Sequence, residues 1–70
     1  MNEQEYFNNV GMEFKLERIR QHLTMRQLAA KAKVNPNTVQ LIENALKGGN
    51  RLTTLKKVAD GLGKPLREFL

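Results

Sequence analysis

The chain has no cysteine. That excludes a disulfide framework and a thiolate metal site, so a domain of 70 residues must hold together by packing alone. It has one histidine, His22, with no second metal ligand at hand. His22 is expected as a helix C-terminal residue, helped by the helix dipole when charged. No phosphate-binding P-loop, dinucleotide fingerprint, HExxH or CxxC pattern occurs, and Gly48-Gly49 is a lone pair that makes no phosphate cradle. The seven carboxylates are mostly scattered. Without a positioned acid, base, nucleophile or metal, neither catalysis nor a cofactor is expected.

No apolar run approaches the ~20 residues that cross a bilayer. The opening MNEQEYFNNV is acidic and amidic and lacks the basic start of a signal peptide. A membrane-surface helix is not expected either, because the apolar faces are all needed for one small core. The expected setting is cytoplasmic.

Acidic charge is also scarce. Twelve Lys and Arg outweigh seven Asp and Glu, a net charge of +5. The excess is concentrated. From Lys15 to Lys57 there are ten bases (Lys15, Arg18, Arg20, Arg26, Lys31, Lys33, Lys47, Arg51, Lys56, Lys57) and two acids, Glu17 and Glu43. Such a basic span is the electrostatic footprint of a polyanion binder.

No strand signal is present, and the remaining pattern is helical. Residues 1–11 carry Tyr6 and Phe7 among the breaks Asn8, Asn9 and Gly11, and are expected as an N-terminal arm or short extra helix. Glu3 and Glu5 argue against a DNA role for that arm, since DNA-binding arms are basic. The domain proper is expected over 12–70, with helices at 12–21, 25–32, 36–46, 51–62 and 65–70. Their inner residues are expected to be Phe14 or Leu16 with Ile19 and Leu23; Leu28, Ala29 and Ala32; Val39, Ile42 and Leu46; and Leu52, Leu55, Val58, Ala59 and Leu62, while the last helix carries Leu66, Phe69 and Leu70, with Phe69 and Leu70 or the loop at 47–50 as candidate dimer contacts. Thr24 caps the second helix. Asn35 caps the third, with Pro36 at its first position. Asn50 is expected to cap the fourth. Gly61 weakens the last turn of that helix, and Gly63, followed by Pro65, ends it.

The segment Leu23–Leu46 is the organising stretch. The linker around Lys33 and Val34 is too short for the third helix to turn back antiparallel, so the two helices must cross steeply, as in a helix-turn-helix. Lys33 is expected to take the left-handed or bridge conformation that caps the helix, at a cost of about 1 kcal/mol. At 100° per residue Val39, Ile42 and Leu46 point inward, while Asn37, Gln40 and Asn44 share the opposite side with Leu41 beside them. Asn and Gln pair bidentately with adenine in the major groove. Glu43 lies on the inner side, where a carboxylate needs a cationic partner.

The pattern L-T-x-x-x-L-A-x-x-x-x-V-x-x-x-T-V-x-x-I-E, from Leu23 to Glu43, resembles the Cro/phage-repressor (Xre-type) helix-turn-helix family, and LTTLKKVADGLGKPLREFL looks like that family's last two helices. The resemblance covers roughly residues 12–70. It implies an all-α, compact five-helix lambda-repressor-like domain. The implied function is transcriptional regulation, of the repressor kind, by a bacterial or phage-encoded protein on the nucleoid. The implied partner is double-stranded DNA, a palindromic operator bound by a homodimer. By position, Asn35, Pro36, Asn37, Gln40 and Leu41 would face bases. Pro36 has no side-chain donor and stands where relatives often have Gln or Ser, which concentrates direct readout on Asn37 and Gln40. Thr24, Arg26, Lys33, Thr38, Asn44, Lys47 and Arg51 would lie near the DNA backbone, with Arg51 toward the minor groove.

Three further positions depart from the family pattern. Met25 replaces a phosphate-binding Gln, and Lys33 and Ala45 each replace a Gly. The resemblance also implies an ion pair between Arg18 and Glu43. The competing expectation is a protein-interaction module, antitoxin-like or coactivator-like, built on the same fold.

Overall fold

The structure, a computed structural model, describes residues 3–44 and 51–70, with side chains described from residue 9 onward. Four α-helices run in order: α1 (Glu3–Arg20), α2 (Met25–Ala32), α3 (Pro36–Glu43) and α4 (Leu52–Gly61). A single 3-10 turn follows at Leu66–Glu68. Among the described residues there is no strand. The expected fifth helix is thus only this 3-10 turn. Pro65 sets its start, and three residues leave no room for an α-helical ladder.

The N-terminal boundary expected at residues 11 and 12 falls inside α1, which runs unbroken through Asn8, Asn9 and Gly11. Tertiary packing outweighs the poor helix propensity of these residues. Val10 and Phe14 are buried, and Gly11 sits where α1 crosses the end of α3. A Cβ at residue 11 would collide with the carbonyl oxygen of Ile42 and lie 3.0 Å from that of Glu43. The glycine that reads as a break is therefore a contact point. The inner face of α1 follows from it: Val10, Phe14 and Glu17 face the core, whereas Leu16 and Ile19 are half exposed.

Several helix ends have a visible cause. The Thr24 hydroxyl accepts from the Gln27 backbone N–H at 3.0 Å, and the Thr24 N–H donates to the Gln27 side-chain oxygen at 2.7 Å, a complete capping box. The Asn35 side-chain oxygen accepts from the Asn37 N–H at 2.8 Å. α1, α2 and α4 end on left-handed residues: His22 (φ 58°), Lys33 (φ 59°) and Gly63 (φ 76°). After each of them the next N–H reaches back, Leu23 to Arg18, Val34 to Ala29 and Lys64 to Ala59. These are Schellman closures, which satisfy the last carbonyls of each helix. Arg51 precedes α4 without a side-chain cap, and the cap expected of Asn50 lies outside the described residues. So do Ala45 and Leu46, at the expected end of the third helix.

The core is contributed by every element. Leu28, Ala29 and Ala32 of α2 meet Val39 and Ile42 of α3, together with Leu55, Val58, Ala59 and Leu62 from α4 and the residue after it. Small residues let the helices approach. A Cβ on Gly61 would stand 2.9 Å from the Cβ of Ala32, so Gly61 is a packing requirement as well as a weak helix former. Phe69 stacks on Phe14 with ring centroids 4.3 Å apart and planes within 6°, which ties the C-terminus to α1. Leu52, expected on the inner face of α4, is 66% exposed at the first turn.

Candidate nucleic-acid interface

α2 and α3 pack on each other through Leu28, Ala29, Val39 and Ile42, and α2 also packs on α4. The turn between them spans Lys33–Asn35, three residues from the end of α2 to the start of α3. Lys33 at φ 59°, ψ 44° redirects the chain, and Val34 is half buried beneath it. Asn35 caps α3 and Pro36 supplies its first residue.

The position of α3 is fixed from behind by an ion pair. Arg18 Nε donates to Glu43 Oε2 at 2.7 Å and Arg18 Nη2 to Glu43 Oε1 at 3.0 Å, a two-pronged contact. The remaining guanidinium nitrogen, Nη1, donates to the Leu23 carbonyl at 2.8 Å. The Glu43 side chain is 1% exposed and that of Arg18 12%. The pair thus joins the end of α1, the start of the motif and the end of α3. A second network lies farther along α1. Glu17 accepts from Gln21 at 2.9 Å and meets Lys64 at 3.0 Å, while Gln21 also donates to the Leu62 carbonyl at 2.8 Å. The Gln21 hydrogen bond, with the Lys64 contact and the nearby cations, holds the Glu17 carboxyl below its ordinary value of 4.5 although burial opposes this.

The outer side of α3 presents Asn35, Pro36, Asn37 and Gln40 in the open, with Asn44 at its end and Leu41 and Thr38 partly covered. The Asn35 oxygen is already committed to the cap, which leaves its amide nitrogen as the group able to donate outward. Asn37 and Gln40 lie one helical turn apart on the exposed side. Thr24, Arg26 and Lys33 are exposed at the two ends of α2, and Arg51 is exposed ahead of α4. Lys47 lies outside the described residues. Arg26, Lys31 and Lys33 form no ion pair with any described residue.

Acidic charge is withdrawn from this surface. Between Glu17 and Asp60 the sequence holds one acid, Glu43, and it is buried against Arg18. Gln27 escaped the sequence reading, although Thr-x-x-Gln spells the capping box directly. The close approaches at Gly11 and Gly61 and the Glu17–Lys64 contact escaped it too, because their partners are remote in sequence.

Two short capped helices, packed at a fixed turn and showing an amide face in a cationic setting, define a helix-turn-helix DNA-binding domain. The family comparison narrows this: the helix-turn-helix family model of the Cro/C1 type matches residues 14–69, and the chain belongs to that family. It is a DNA-binding regulator of this type, and its partner is double-stranded DNA. Neither the curated proteins nor the solved structures gave a match. No described helix is long and apolar enough to cross a membrane.

Proposed function

We propose that the chain is a repressor that binds a palindromic operator as a homodimer in the cytoplasm, without a cofactor and without catalytic activity. α3 enters the major groove. Asn37 and Gln40 read base edges through their amides, Leu41 meets a thymine methyl, Pro36 contributes shape alone, and Asn35 donates through its amide nitrogen. Thr24, Arg26, Lys33, Thr38, Asn44 and Lys47 contact phosphates, and Arg51 lies toward the minor groove.

The observation that carries this reading is the charge sorting around the motif. Arg26, Lys31 and Lys33 are exposed and unpaired among the described residues, while Glu43, the one acid between Glu17 and Asp60, is buried. Carboxylates repel phosphates, so a surface cleared of them around open cations favours a polyanionic partner.

Binding to a labelled random duplex across a salt series tests the proposal. The affinity is expected to fall steeply, with log K against log salt losing about 0.9 per phosphate neutralised. Arg26→Ala should reduce that slope by about one and weaken all duplexes alike. Absent or salt-independent binding would contradict the reading.

A further inference from the structure

α1 has a second apolar face that the fold leaves open. Met12, Leu16 and Ile19 are 51%, 53% and 50% exposed. They are spaced by four residues and then three, the repeat of a coiled-coil seam. They lie on the side of α1 opposite Val10, Phe14 and Glu17, which face the core. Glu13 and Arg20 both fall along one edge of this stripe, and Lys15 falls along the other. Glu13 makes no ion pair with a described residue. Arg20, with its side chain 76% exposed, reaches Glu17 only at 3.7 Å.

We propose that this stripe pairs with the same stripe of a second copy, antiparallel, about a two-fold axis that crosses the helices near Leu16. The occupant follows from the charges. In an antiparallel pair each edge meets the same edge of the other helix with its ends reversed. Glu13 then faces the partner's Arg20, and Arg20 faces the partner's Glu13. Both contacts are attractive, and both arise from one two-fold operation. A parallel pair would set Lys15 toward the partner's Arg20, like charge on like. On the other edge the antiparallel pair turns the two Lys15 side chains toward each other, so its preference over the parallel pair rests on the two Glu13–Arg20 contacts, which the parallel pair lacks.

Two helical turns on each side bury well below the roughly 1,200 Å² of a standard stable interface, so the association is weak and reversible. It gains weight where copies are concentrated, as on neighbouring sites of one DNA molecule. None of its residues belongs to α2 or α3, so the amide face stays exposed in the pair. The contact stands or falls separately from the DNA reading.

Sedimentation equilibrium of the full chain, without DNA and at low salt, tests it with Glu13→Arg, Arg20→Glu and their equimolar mixture. The wild type should associate reversibly at submillimolar to millimolar concentration. Each single variant should associate at least ten-fold more weakly, since both Glu13–Arg20 contacts then set like charge against like. The mixture should regain wild-type association, because the mixed pair restores opposite charges at both contacts. Circular dichroism should show unchanged helix content for both variants. A wild type that stays monomeric at millimolar concentration, as it would if a different protein covers the stripe, overturns the proposal. So does association that is equal in all variants, or a mixture no stronger than its components.

Discussion

Lys33 is held at φ 59°, ψ 44°, a conformation that costs a side chain with a Cβ about 1 kcal/mol. The strain is tolerated because two backbone closures, from Lys33 and Val34 back to α2, need that geometry. A glycine would make the turn more easily, but it would remove an exposed cation beside the start of α3. Lys33→Gly is therefore expected to raise the urea unfolding free energy by about 1 kcal/mol, and to weaken duplex binding with a shallower salt dependence. A variant that gains stability and keeps full affinity would show that Lys33 touches no phosphate. The short linker makes this residue legible in the sequence, as do the caps at Thr24 and Asn35. Glu43 is equally legible: a carboxylate on an inward helix face must find a cation, and Arg18 provides it at 2.7 Å.

α1 is the element whose sequence misleads. Asn8, Asn9 and Gly11 look like a break, and the apolar residues Leu16 and Ile19 look like core. Both impressions fail for one reason. The inner face of α1 is chosen by what lies across from it, and the backbone end of α3 demands a residue without Cβ. Only a long-range contact reveals that requirement. Gly11→Ala weighs the two effects directly. Alanine favours a helix by about 1 kcal/mol over glycine, but its methyl would press on the carbonyl oxygen of Ile42, a backbone atom that cannot swing aside. Overpacking of this kind costs typically about 1–3 kcal/mol. The expected outcome is net destabilisation in urea unfolding, together with weaker duplex binding as the end of α3 shifts. A more stable Gly11→Ala would mean that α1 and α3 do not cross so closely. The final 3-10 turn is likewise hidden in the sequence, because PLREFL carries helix-like apolar spacing, and Phe69, stacked on Phe14, follows the turn directly.

At the scale of the whole molecule, charge is sorted between structure and surface. Glu17 and Glu43 serve as internal ties, Glu17 linking α1 to Lys64 beyond α4 and Glu43 linking α3 to α1, while the cations around the motif remain open. Because the folded carboxyl of Glu17 titrates below its ordinary value of 4.5, its contribution is complete above that value and is lost as pH falls through the folded pKa. Unfolding midpoints at about pH 6 and about pH 3 should therefore drop further for the wild type than for Glu17→Gln. Equal drops would mean that the Lys64 and Gln21 contacts do not form in solution. The basic span makes this division legible in outline, and only folding shows which acids are hidden. The central claim is that the amide face of α3 reads sequence. Its most direct test is to select bound duplexes from a random pool and then compare wild type with Asn37→Ala on the selected duplex and on an unrelated one. The account predicts a loss of about 1–3 kcal/mol on the selected duplex, relaxed choice at one base pair, and little change on the unrelated duplex. Equal losses on both, or a pool that yields no preferred sequence, would contradict it.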